Sequence, residues 1–148
     1  MRMARKILLV AAFLAVLVGC QSAAARRSGT DFQATLTGSQ EVPGVETRTH
    51  GRIDLRIWKT SAGGRIKWSL VILRRESPVI AARIQHGRPG HNGPVLATLC
   101  HSCRRPAGGT FHVNRSTAAT ILQGRTYINV ETQSHPNGEI RGALHFNG

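Results

Sequence analysis

Apolar residues recur at every second position along most of this chain. Phe32, Ala34 and Leu36 form one such set, followed by Ile53, Leu55 and Ile57, then Ile66, Trp68, Leu70 and Ile72. Ile80, Ala82 and Ile84 form another, and Val95, Ala97 and Leu99 the next. A period of two places each set on one face of an extended strand and scatters it around a helix. Between the sets lie GSQEVPG, Ser61-Ala62-Gly63-Gly64 and HGRPGHNGP, rich in the residues that turn a chain. Phe111 to Val113 is a weaker candidate, and Ser116 to Gln123 suits a short helical turn or a strand equally. TYINVET and GEIRGALHF then resume the alternation. About seven or eight short strands with Gly-rich turns predict an all-β, antiparallel sandwich or barrel. A length of 148 residues suits one such domain.

The first twenty residues, MRMARKILLVAAFLAVLVGC, follow other rules. Arg2, Arg5 and Lys6 precede an unbroken apolar run from Ile7 to Val18, shorter than the roughly 20 residues a spanning helix needs. The pattern is that of an export signal. Leu17-Val18-Gly19-Cys20 resembles the bacterial lipobox, in which the cysteine thiol is acylated and the chain is cut before it. The expected organisation is a lipoprotein-type signal peptide over 1–20, a tether over 21–30 and a domain over 31–148. The expected place is the bacterial envelope, at the outer membrane or periplasmic side, held by lipid on Cys20.

Removing Arg2, Arg5 and Lys6 from 20 basic residues leaves 17 against 7 acidic ones, a net charge of +10. That charge draws a protein towards anionic polymers or phosphate-rich surfaces. The basic residues are spread from Arg26 to Arg141, and neither a basic helix nor an RNP-like aromatic motif accompanies them. Specific nucleic-acid binding is therefore not expected.

The last hairpin gathers His135, Glu139, Arg141 and His145 around Pro136-Asn137-Gly138. Ile128, Val130 and Thr132 share a face of the first strand; Ile140, Gly142, Leu144 and Phe146 share a face of the second. Even positions must oppose even positions, and a three-residue turn at Pro136-Asn137-Gly138 satisfies that. This register puts Val130 opposite Leu144 and Ile128 opposite Phe146, towards the core. Asn129, Glu131, Gln133, His135, Glu139, Arg141 and His145 take the other face, with His135 opposite Glu139 and Arg141 opposite Gln133. The titratable cluster is then an exposed product of alternation, and no catalytic role is assigned to it.

Three ordered blocks carry a family resemblance: FQATLTGSQEVP, AARIQHGRPGHNGPVLATL and YINVETQSHPNGEIRGAL, spanning Phe32 to Phe146. The chain resembles the CHRD domain, the module named for its repeats in chordin and also found singly in exported bacterial proteins. The resemblance implies an immunoglobulin-like β-sandwich whose GEIRG-type ending is related to copper/zinc superoxide dismutases. Family members commonly carry histidines where this chain has Arg83, Gln85 and Glu131. Imidazoles so placed suit zinc or copper, whereas Arg83 brings a fixed positive charge and predicts a salt bridge to Glu131. No metal or other cofactor is expected, and His86 and His91, flanking one loop, are the weak remaining candidates for a ligand.

Cys100 and Cys103, in Cys-His-Ser-Cys, predict a local disulfide in an exported chain. No G-x-S-x-G, Walker A, H-E-x-x-H or dinucleotide fingerprint is present, so the chain reads as a non-catalytic module. Its expected binding surface comprises Arg83, Gln85, His86, His91, Asn92, Glu131, His135 and Arg141, together with loops at Gly87–Pro94 and Ala107–Thr110. An envelope protein or an anionic polymer is the expected partner. The alternatives are a metal-binding or redox protein of dismutase-like architecture, and a cationic adhesin for anionic envelope polymers.

Overall fold

A computed structural model describes residues 28–148. The expected signal peptide, the expected acylation site at Cys20 and most of the expected tether lie outside the described residues. Thr30, assigned to the tether, already belongs to the first strand and pairs with Ile57.

The strands are β1 (Thr30–Thr37), β2 (His50–Thr60), β3 (Gly63–Leu73), β4 (Val79–His86), β5 (Val95–His101) and β6 (Ala107–Asn114). After one helix, α1 (Arg115–Leu122), come β7 (Thr126–Thr132), β8 (Ile140–Ala143) and β9 (His145–Phe146). The ladder order is β5-β4-β7-β8-β1-β2-β3-β6, every pairing antiparallel, with β9 added to β1. The all-β expectation holds. The sheet runs continuously through the Thr37↔Arg141 pairing of β1 with β8 and curls into a nearly closed, barrel-like body.

Alternation explains the interior. Along β2 and β3 buried and exposed residues alternate, and Ile53, Leu55, Ile57, Ile66, Trp68 and Leu70 all enter the core. From the other half come Ala82, Ile84, Ile128, Val130, Ile140 and Leu144. Fully burying each large aliphatic side chain contributes about 1.5–3 kcal/mol. In β4 the pairing shifts between Val79 and Ala81, so Val79 and Ala81 are buried and Ile80 turns outward against its expected inward place.

The segment that periodicity left open is helical. Asn114 caps α1, its side-chain oxygen accepting from Thr117 N at 2.9 Å, and Gly124 at φ +67° ends it. Cys100 and Cys103 are joined by a disulfide, as expected.

The final hairpin departs from its expected register. Val130 pairs with Ile140 and Asn129 with Arg141, four positions away from the expected pairing of Val130 with Leu144. The chain reverses earlier, through reciprocal backbone bonds between Thr132 and His135 at 3.1 Å, and His135 N also bonds Thr132 Oγ1. Pro136-Asn137-Gly138 forms a second turn, after which Glu139 N rejoins Val130 O. Phe146 does not reach the core. It is 66% exposed and meets Phe32 edge-on, because the chain leaves β7 after Leu144 and pairs with β1.

Candidate functional site

Four of the seven residues on the expected exposed face of the last hairpin are buried, whereas Gln133 and His145 are exposed as expected and His135 is half-buried. Asn129, Glu131, Glu139 and Arg141 are all inaccessible, and Arg141 is only 2% exposed. Alternation does turn these side chains away from the apolar core. Two loops then cover them, one after β1 and one after β4. The second loop is closed by His86 N bonding Pro94 O, Gly87 N bonding Arg125 O, and Gly93 N bonding the Tyr127 hydroxyl.

Arg141 is the centre of this covered layer. Its Nη1 donates to Asn92 Oδ1 at 2.9 Å, and its Nη2 donates to the carbonyls of Arg88 and His91. The guanidinium lies 3.5 Å from the centroid of the Tyr127 ring. Asn92 Nδ2 in turn donates to Val42 O at 2.8 Å, so one side-chain relay joins β8, the loop after β4 and the loop after β1. Beside it lies a small cavity of about 170 Å³ bounded by Glu41, Val42, Pro89, Tyr127 and Arg141.

Glu41 enters the same layer from the loop after β1. Burial pushes its carboxyl up to about 7; the Arg141 charge pulls it down and Glu131 pushes it further up. Its Oε1 is buried without a hydrogen-bond partner, as is Asn129 Oδ1. Both oxygens lie within 2.7 Å of the point a Cβ on Gly138 would occupy. Gly138, at φ +139°, is therefore required both by its backbone and by the two oxygens beside it. Burial of the carboxyl favours its protonated form, so Glu41 holds its proton below about pH 7 in the folded chain.

Glu139 sits in a second pocket of the same layer. Burial pushes its carboxyl up, but the hydroxyls of Thr49, Thr132 and Thr47 and the charge of His135 outweigh that and hold it below the usual range. Thr47 Oγ1 donates to Glu139 Oε1 at 2.7 Å; Oε2 has no complete hydrogen bond.

Arg83 and Glu131 form the expected ion pair, Nη2 to Oε2 at 3.1 Å, with Glu131 buried and Arg83 a third exposed. Gln85 lies opposite Tyr127 in the β4–β7 ladder. This donor set does not fit zinc or copper: a fixed cation fills the space and already engages the single carboxylate. Among the described residues, no group of three or more His, Cys, Asp or Glu side chains is placed to hold a metal ion.

The structure thus joins Arg83 with Glu131, and Arg141 with Asn92 and the backbone of His91. His135 faces Glu139 instead, and the His86 and His91 side chains are exposed. Ala107–Thr110, expected as a loop, is the first half of β6 and pairs with β3. Sequence reasoning missed Glu41 and Tyr127. A Glu between two turn-forming segments carries no local mark of burial; the all-buried β7 around Tyr127 reflects cover from distant loops.

No curated protein and no solved structure matches the chain. The CHRD domain matches residues 32–144, from the first core residue of β1 to the last core residue after β8. That span is most of the sequence and holds every residue of the buried polar layer, so this chain belongs to the CHRD-domain family.

Proposed function

We propose that this chain is an exported CHRD module, held to a bacterial envelope by lipid on Cys20, that binds a partner and does not catalyse a reaction. The observation that carries this reading is the Arg141 relay. A buried guanidinium that ties two loops to the sheet fixes their shape before any partner arrives, and pre-ordered loops lower the entropic cost of association. The exposed rim of those loops, with His86, His91 and Asn92, is the binding surface, and Gln85 and Arg83 extend it along β4. The Arg83–Glu131 pair weighs against the metal and redox reading, because it occupies the place a metal would need.

A second reading has one observation in its favour. On the outward face of β2 and β3, Arg56, Arg65 and Lys67 lie around Trp58, with the Arg65 guanidinium 4.5 Å from the indole centroid. This basic strip suits an anionic envelope polymer, and its binding would weaken steeply as salt rises.

The test has two arms. Radiolabelled palmitate should label the chain expressed in a bacterium and fail to label Cys20→Ser, which should leave the membrane fraction. The purified chain, loaded with copper and zinc and then dialysed, should retain no stoichiometric ion. A retained ion that is lost in His86→Ala or His91→Ala would make this a metal-handling protein instead.

A further inference from the structure

The curled sheet stops one step short of closure. β5 and β6 are its terminal strands, each bonded along one edge only among the described residues. Seven antiparallel pairings separate them, so they run in opposite directions where they face each other. No backbone hydrogen bond joins them; a cleft of about 450 Å³ lies between. The turn linking the two strands, pinned by the Cys100–Cys103 disulfide, holds one end of the seam. Two rows of free backbone N–H and C=O groups thus flank one groove, an arrangement that proteins ordinarily cover or blunt.

The groove has a shaped floor. Gly109 pairs with Trp68 across β6 and β3, and a Cβ at Gly109 would lie 3.4 Å from the indole nitrogen. The absence of a side chain there leaves the indole edge bordering the cleft, beside Leu99 and Phe111. The rim has one sign of charge. His101 and Arg104 line the cleft, Arg105 follows, and no acidic residue occurs between Val95 and Asn114.

We propose that the β5–β6 seam is a strand-addition site that takes an extended, acidic peptide segment of a partner protein. An added strand would bond to one open edge of the seam, set alternate side chains on the Trp68 floor, and turn its acidic side chains to His101 and Arg104. Charge separates this occupant from the others. The chain's own residues 21–29 carry Arg26 and Arg27, and a second copy would bring an equally basic edge. The inference goes beyond the binding-module reading, since the seam is a surface apart from the loop rim with His86, His91 and Asn92. Its failure would leave the palmitate and metal results standing, so the two fail separately.

The test uses the full chain with a short fluorescent alternating Glu-Val peptide, its Lys-Val counterpart, and a Glu-Val peptide N-methylated at every valine. Fluorescence anisotropy reads binding, and hydrogen exchange read by mass spectrometry locates it. The Glu-Val peptide should bind and slow exchange in residues 95–101 and 107–114. Arg104→Glu, an exposed change that spares the core, should weaken binding about three- to tenfold. Gly109→Val should weaken it too by filling the notch over Trp68. No binding of the Glu-Val peptide would overturn the proposal. Equal binding of the N-methylated or Lys-Val peptide would also overturn it, as would protection confined to the Arg56–Lys67 face. Seam protection that is present without peptide and disappears on dilution would assign the seam to a second copy, and so reject it.

Discussion

Arginine–carboxylate contacts occur in two regions of this molecule, and the same chemistry does different work in each. On the outer face of β1 and β2, Arg56 pairs with Asp31 and Arg52 with Asp54, all of them in contact with water. In the layer over β7 and β8, Arg141, Glu41, Glu131 and Asn129 are buried, and Arg83 reaches in from the rim. The outer pairs can be separated and resolvated at little cost. The inner groups have no water to return to, so each lost partner leaves a buried charge or an orphaned acceptor. Placement under loops, not the number of ion pairs, decides which arginine the fold depends on.

The comparison breaks most readily at Arg141. Arg141→Ala removes the donor for two loop carbonyls and Asn92 Oδ1, and removes the positive charge beside Glu41. We expect a loss of about 3–5 kcal/mol in denaturant unfolding at neutral pH. Arg141→Lys should recover only part of it, since one ammonium cannot reproduce a planar fork stacked on Tyr127. A loss below about 1 kcal/mol would mean that the loops hold themselves and that burial is not the deciding difference.

Glu41 sharpens the comparison through pH. Its folded carboxyl titrates near 7 against an ordinary value of 4.5, so between these the folded chain holds a proton that the unfolded chain has released. Stability from this group is therefore complete below about pH 4.5 and declines as pH rises to about 7. Discounted for solvent screening, the decline is about 1–2 kcal/mol. Glu41→Gln, which is neutral at every pH, should match the parent near pH 4.5 and exceed it by that amount at pH 8. Unfolding followed across this range checks it, and parallel curves for the two proteins would place Glu41 in an aqueous setting. Glu139 runs the other way. Its lowered value contributes stability that is present above the ordinary carboxylate range and is lost as pH falls through the folded value.

The contrast also marks what the sequence could convey. Alternation identified the inward residues of β2 and β3 one by one, because a strand's two faces are fixed locally. The same alternation turned Asn129, Glu131 and Arg141 away from the apolar core, and the Arg83–Glu131 pair followed from the family resemblance, which brings these positions together, and from their opposite charges. Whether that second face met water depended on Asn92 reaching Val42, fifty residues away, and no period encodes such cover. The hairpin register slipped by four because Pro-Asn-Gly is the conspicuous turn, yet Thr132 and His135 close an earlier one. Ile80 went wrong for a smaller reason: one bulge in β4 inverts the face of the residue beside it.

The smallest effect belongs to Arg56, and its smallness is the point. Arg56→Ala removes the pair with Asp31 and one of two guanidiniums near Trp58, while Arg65 keeps its place over the indole. Both partners of the lost pair stay in water, so we expect no resolvable change in the unfolding midpoint at moderate salt. The loss should appear only locally. A hydrogen bond from Arg56 holds the Asp31 carboxyl below its ordinary value of 3.8, and in the variant an NMR titration should find it nearer that value. Were Arg56→Ala as damaging as Arg141→Ala, exposure would not distinguish the two regions, and the outer strip would have to be counted as part of the fold's support.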